Sequence, residues 1–306
     1  MLSRLIAIGV GLVFVLVLLV SFFSGAKAYI VDPPVKSVES RFHLEPKEVH
    51  FASDGPFGKF DREQVQRGFQ VFKEVCSACH SLRLVAFRDL EGLGYNEREI
   101  KAIAKQWQIE VPDINPDTGE ATTRKALPSD HFPSPYANEV AGRAANNNAL
   151  PPDLSDIAKA REGGAAYVYS ILTGFRDPPA NLPPENRPAA NLHYNPYFAN
   201  LNIAMPPPLV ADEQVAYADG TKATVDQMAK DVAAFLVWTA EPKLENRHRT
   251  GLATVLFLLV ATLLAYLAYR NIWADMKGRK VRAIGPLDPE NMAKREAASR
   301  EAGITD

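Results

Sequence analysis

Cys76-Ser77-Ala78-Cys79-His80, at the end of Val71-Phe72-Lys73-Glu74-Val75, is the stretch that decides how this chain is read. Two thiols three residues apart, followed at once by an imidazole, have the spacing of covalent haem attachment. Cys76 and Cys79 can reach the two vinyl groups on one edge of the porphyrin. His80 then offers its ring to the iron from one side. A redox dithiol would want strand–helix–strand surroundings, which this part of the sequence lacks. A zinc site would need a fourth ligand beside Cys76, Cys79 and His80, and the chain has only two cysteines in all.

Outward from the motif, the periodicity is helical. Asp61 to Val75 places Val65, Phe69 and Phe72 on one stripe, with Asp61 as N-cap. A second helix is expected from Asn96, where Glu99 completes a capping box and Ile100, Ile103 and Trp107 keep the period. Residues 111–152 read as turns, cornered at Asp117-Thr118-Gly119. Asp153 is expected to cap a short helix through Ile157, and Ala165–Thr173 a further helix ended by Gly174. Residues 177–208 form a second proline-rich loop. Thr224–Trp238 carries Val225, Met228, Val232 and Phe235 on one face. Residues 29–60 read as an extended lead-in. No sustained strand alternation is visible, so the expected class is all-α, with long loops wrapped around a bound group.

An electron-transfer haem usually has its sixth position closed, often by methionine. Of five methionines, Met1 lies in the leader and Met276 and Met292 near the C-terminus, while Met228 reads as core. Met205 remains, stiffened by Pro206-Pro207-Pro208. Among histidines 43, 50, 131, 193 and 248, His193 is the serious rival, being close to the same loop. Arg143, ahead of Asn146-Asn147-Asn148, could hold a haem propionate through paired hydrogen bonds.

The chain has 306 residues, with 34 Lys+Arg against 36 Asp+Glu, a net charge of −2 that offers no basic field for nucleic acid. At 47% hydrophobic and 23% charged residues, wholesale disorder is excluded. Two stretches are too apolar for a soluble surface. Leu5–Ala26, behind Arg4 and ending Ala26-Lys27-Ala28, reads as a secretory signal cleaved after Ala28, so that 1–28 is removed. Thr250–Tyr269, between Arg249 and Arg270, reads as a transmembrane helix over 250–269. The basic flank Arg270, Lys277, Arg279, Lys280 and Arg282, against Asp275 alone, should stay cytoplasmic. Residues 29–249 would then be the exported domain, with 30 acidic and 24 basic residues, net −6, and 270–306 a cytoplasmic tail.

Further pieces turn this outline into a resemblance. Val71–His80 with Ser81 is followed by Arg143-Ala144-Ala145-Asn146-Asn147, by Leu150-Pro151-Pro152-Asp153-Leu154-Ser155, and by Tyr167–Phe175. Then come Asn195-Pro196-Tyr197-Phe198, Ile203-Ala204-Met205-Pro206, Ala229-Lys230-Asp231-Val232, and Trp238-Thr239-Ala240-Glu241-Pro242. In this order, with a tail anchor, the chain resembles the cytochrome c1 family of the ubiquinol–cytochrome c oxidoreductase.

The resemblance implies an all-α, c-type cytochrome fold with long loop insertions, plus one C-terminal transmembrane helix. It implies one haem c on Cys76 and Cys79, with His80 and Met205 as axial ligands and Arg143 near a propionate. It further implies a place in the bacterial inner membrane beside a cytochrome b subunit, with the haem domain periplasmic. The electron would come from the Rieske iron–sulfur protein and pass to a cytochrome c. No substrate chemistry is expected from this chain. With both cysteines used by haem, the extra disulfide of some relatives cannot form. The tail from Ala283 to Asp306 has no part in the motif series.

Overall fold

The computed structural model describes residues 2–33, 35–273 and 289–303. These are mostly helical and divide into two units. The first joins the chain up to His50 with Arg62–Ala240, and the second joins Phe51–Asp61 with the chain from Glu241 onward.

The first unit opens with α1, Leu2–Val31, a continuous helix that runs through Ala28 and is apolar enough to cross a membrane. The lead-in, expected to be extended throughout, contains the short helix α2, Val38–Phe42. Its N-cap Ser37 accepts from the Ser40 N–H at 3.2 Å. Five residues are too few to show a period, which is why the sequence did not reveal it.

Helix α3, Arg62–Val71, starts directly after Asp61 and buries Val65 and Phe69, with Phe72 just beyond its end, as the stripe required. A 3₁₀ turn, Phe87–Leu93, leads to α4, Glu97–Gln106. There the expected capping box is present. Asn96 Oδ1 accepts from the N–H groups of Arg98 and Glu99 at 3.0 and 3.1 Å, and Glu99 Oε2 accepts from Asn96 N–H at 2.7 Å.

The expected turn region instead holds an antiparallel hairpin, β1 Val111–Ile114 with β2 Ala121–Arg124, around Gly119 at φ +73°. Both strands are mostly exposed on both faces, so no alternation existed to be read. Then follow α5, Glu139–Ala145; α6, Ile157–Ala160; and α7, Gly164–Leu172. A two-residue pairing, β3 His193–Tyr194 with β4 Asn202–Ile203, closes the second proline-rich loop.

Two expected helix ends are corrected. Asp156, not Asp153, occupies the N-cap of α6, because the Asp153 carboxylate is committed elsewhere. Gly174 does not end α7 in a left-handed cap. It is required by packing, since a Cβ there would lie 2.5 Å from Tyr197 Cδ2 and 2.6 Å from Ser170 O.

Helix α8, Val225–Ala240, is buried nearly all round rather than on one face, because α3 lies against one side and α6 and α7 against others. Its approach to α3 needs Gly68, whose missing Cβ would sit 2.0 Å from Asp231 O and 2.7 Å from Phe235 Cβ. Around that contact Phe69 and Phe72 meet Phe235 at centroid distances of 5.6 and 5.7 Å. Each such buried ring contributes roughly 1.5–3 kcal/mol. Within the seam lies Asp231, fully buried. It accepts from Arg67 Nε at 3.0 Å, Gln227 Nε2 at 2.8 Å and Gln64 Nε2 at 3.2 Å. Met228 is fully buried beside it, as its stripe position implied.

In the second unit, α9 covers Leu244–Ile272, longer at both ends than the apolar run, and is apolar enough to span a membrane. At 1.5 Å per residue it exceeds the roughly 30 Å hydrocarbon core. The loop 51–61 docks on its start. Phe60 N–H donates to Glu245 Oε1 at 3.0 Å, and His248 Nδ1 lies 3.1 Å from Gly58 O. Helix α10, Pro289–Glu301, is exposed. The flank residues Asp275, Lys277, Arg279, Lys280 and Arg282, and Met1 and Met276, lie outside the described residues.

Candidate functional site

Helix α3 ends in one π-helical turn, Phe72–Cys76, closed by Ser77 N–H donating to Phe72 O at 2.8 Å. Widened turns of this kind collect at functional sites. The chain then coils back at once, because the N–H groups of Cys79 and His80 both donate to Cys76 O, at 3.1 and 2.9 Å. Cys76 is half-buried and Cys79 exposed. Burial pushes the Cys76 thiol up to about 12, the opposite of the depressed value a redox dithiol needs. Among the described residues no three His, Cys, Asp or Glu side chains are grouped so as to hold an ion.

His80 is half-buried, with Nδ1 2.8 Å from the carbonyl oxygen of Pro152. A carbonyl can only accept, so the ring proton belongs on Nδ1 and the Nε2 lone pair stays free for a metal. Burial holds the imidazole below its ordinary value, against the Pro152 carbonyl and the Asp153 charge, so the ring is kept in the neutral form that ligates. The surrounding strand of chain is tied down residue by residue. Leu154 N–H donates to Ser81 O at 2.9 Å, and Leu84 N–H to Ser155 Oγ at 3.1 Å. Ser81 Oγ donates to Asp153 Oδ2 at 2.7 Å.

The segment just ahead of α5 approaches the same turn through Tyr136, which neighbours Cys79 and accepts at its hydroxyl from Asn146 Nδ2 at 2.8 Å. Gly142 permits this, since a Cβ there would press on Leu150 at 2.8 Å and Tyr136 at 3.3 Å. Arg143 is exposed, and its Nη1 donates to Asn148 O at 3.3 Å across a loop in which Asn147 and Asn148 take φ of 52° and 65°. Its remaining N–H groups are the ones a propionate would use.

Met205 is half-buried, and its loop is set by a clamp on α7. Buried Asn195 donates from Nδ2 to Ile171 O at 2.8 Å, and its N–H donates to Leu201 O at 2.7 Å. Leu201, fully buried, sits at φ 61°, a strained backbone that only tight surroundings maintain. His193 pairs in register with Ile203, two residues before Met205, so both rival ligands leave one hairpin. His50 and His131 are exposed, and His43 half-buried; Met292 is exposed on α10.

Sequence reasoning missed the Pro152 carbonyl, the Tyr136–Asn146 pair and the Ser81–Asp153 bond. The first is a backbone group with no residue-type signal. The others join residues 10 and 72 positions apart.

What this arrangement fits is a porphyrin tethered along one edge and gripped by an imidazole from one face, within a helical shell. The class of protein it defines is the c-type cytochromes. The family model described as Cytochrome C1 family matches residues 51–276, and the chain belongs to that family. Its cofactor is one covalently bound haem c.

Among its relatives is a mitochondrial cytochrome c1 heme protein of Arabidopsis thaliana, 46% identical over 79% of this chain and 77% of the relative. The cytochrome c1 of Rhodospirillum rubrum is 46% identical over 73% of this chain and 85% of its own length. A mitochondrial cytochrome b-c1 complex catalytic subunit of Candida albicans is 44% identical over 78% of this chain and 81% of the relative.

Proposed function

We propose that the chain is the haem-bearing electron-transfer subunit of a ubiquinol–cytochrome c oxidoreductase, taking an electron from the Rieske iron–sulfur protein and passing it to a cytochrome c. A cytochrome b subunit would be its neighbour in the membrane. When bound, the haem supplies a one-electron Fe(III)/Fe(II) couple. Cys76 and Cys79 would hold its edge, His80 Nε2 and the Met205 sulfur would ligate the iron, and Arg143 would pair with a propionate. A thioether ligand favours reduced iron relative to a second imidazole, which suits an acceptor that must take an electron and release it.

The observation that carries this reading is the bond from His80 Nδ1 to Pro152 O, beside the thiol pair. It orients an imidazole and frees its other nitrogen at the place the tethers demand. Residues 29–249 are read as periplasmic after removal of 1–28, anchored by 250–269, with 270–306 cytoplasmic in a bacterial inner membrane.

The spectrum of the oxidised protein tests the ligand set. A weak methionine–iron band near the red end is expected, and its absence would turn the reading to an open sixth site, that of a haem enzyme or sensor. Purification from membranes should bring a cytochrome b and a Rieske protein along. Mature protein should begin at Tyr29, and protease from the periplasmic side should release the haem domain while sparing the segment after Arg270.

A further inference from the structure

Asp153 stands at the centre of the contacts that hold His80 in place. Its Oδ2 accepts from Ser81 Oγ at 2.7 Å and from Arg83 N–H at 2.8 Å, and its Oδ1 accepts from Ser155 N–H at 3.0 Å. The carbonyl that bonds His80 Nδ1 belongs to the peptide unit joining Pro152 to Asp153. A peptide unit is planar, so an anchor on Asp153 fixes the direction of the Pro152 oxygen. On the other side the pyrrolidine ring fixes φ, and Pro151-Pro152 offers no N–H groups of its own to hold the segment. The carboxylate therefore does the anchoring that the prolines cannot.

Its charge also survives. The donors that reach it within 3.0 Å are neutral, a hydroxyl and two amides. Among the described residues its ion-pair partner, Arg83 Nε at 3.4 Å, belongs to a side chain that is 71% exposed. Such a partner neutralises little, whereas the Asp153 side chain is only 16% exposed and is poorly screened by salt.

We infer that Asp153 is a positioning residue for the axial imidazole, aiming the Pro152 carbonyl at His80 Nδ1 and setting a fixed negative charge beside the ring. This rests on the reading of His80 as an iron ligand. Both effects favour oxidised iron. A well-aimed acceptor makes the imidazole a stronger donor to the metal, and a nearby negative charge stabilises the more positive oxidation state.

The test is Asp153→Asn in the full, haem-loaded chain, which keeps the shape and removes the charge. Haem attachment and the methionine band should persist. The Fe(III)/Fe(II) equilibrium against a fixed mediator should move about tenfold toward reduced iron, about 59 mV for one electron. The His80 Nδ1 proton, read among the hyperfine-shifted resonances of the oxidised protein, should exchange with solvent about tenfold faster. A variant with lowered melting temperature but unchanged potential and exchange would make Asp153 a purely structural residue and overturn the inference.

Should Asp153→Asn fail to mature, Ser81→Ala removes a single hydroxyl donor and is read by the same proton. Faster exchange supports the inference, and unchanged exchange overturns it. His80→Ala run alongside separates the two levels. If its haem spectrum is unchanged, the ligand reading falls and this inference with it. If that spectrum is lost while Asp153→Asn is silent, only the positioning role falls.

Discussion

The seam between α3 and α8 and the bracket around His80 meet at the end of one helix and are held together by different forces. In the seam, side chains interlock. Gly68 lets two backbones touch, Phe69, Phe72 and Phe235 fill the space, and even the one carboxylate, Asp231, is fully buried and fully partnered. In the bracket, residues 80–84 and 152–155 are joined by hydrogen bonds, much of the surface is open, and Leu84 is 66% exposed. The polypeptide completes the seam by itself. The bracket aims polar groups at something the polypeptide does not contain, which is what a cofactor site must do.

Variants should separate the two regions, and the largest effect belongs to the site. Cys76→Ala or Cys79→Ala removes one of the two proposed tethers, with no third cysteine to replace it. Double thioether attachment should be lost, as judged by haem-stained denaturing gels and product mass. Two thioether bonds in either variant would end the assignment.

Next comes the seam. Arg67→Ala leaves the buried Asp231 carboxylate without its charge partner, at a cost of about 3–5 kcal/mol. Chemical unfolding of the haem-loaded chain should show that loss while the midpoint potential barely moves. A large potential change would mean that the two regions are not separable as described.

Met205→Leu is the converse. A swap of similar volume should cost under about 1.5 kcal/mol of stability. Loss of the sulfur should lower the potential by at least about 59 mV, tenfold in the redox equilibrium. A redox titration with no shift would point to His193 as the ligand.

The smallest effect is at the α7–α8 surface. The Lys230 ammonium, at 2.8 Å, and the Tyr169 hydroxyl hold the Asp226 carboxyl below its ordinary range. A depressed folded value means that this contribution is complete above the unfolded pKa, roughly 3.9, and is lost as pH falls through the folded one. Because the pair is exposed, Asp226→Asn should cost well under about 1 kcal/mol, a difference present above about pH 4 and vanishing at lower pH as the wild-type carboxyl protonates. A stability loss at pH 7 comparable to that of Arg67→Ala would erase the contrast between surface and seam.

Much of the seam was readable in advance because it depends on period. Val65, Phe69, Phe72, Met228, Val232 and Phe235 recur at helical spacing, and all six are buried. The Asn96–Glu99 box was readable because its partners are three residues apart. Asp153 shows the limit. Locally it reads as a helix cap, but Ser81 and Arg83, far away in sequence, capture its Oδ2. Gly174 likewise looks like a helix stop, although what it avoids is a collision with Tyr197 and Ser170. The β1–β2 hairpin escaped notice because both its faces are largely exposed and carry no hydrophobic code.

By itself, then, the chain's order of residues determined the longer helices, the apolar spans, the close-spaced thiol pair and the imidazole that follows it. Each of these is written in spacing over a few positions, where covalent geometry alone brings the groups together. Tertiary structure decided which carbonyl takes the His80 proton, which carboxylate braces that carbonyl, and how Leu201 is strained ahead of Met205. Those outcomes join segments up to 72 residues apart through single hydrogen bonds. A bond of that kind is worth about 1 kcal/mol, too little to impose a pattern on the sequence and enough to fix an atom once the helices have packed.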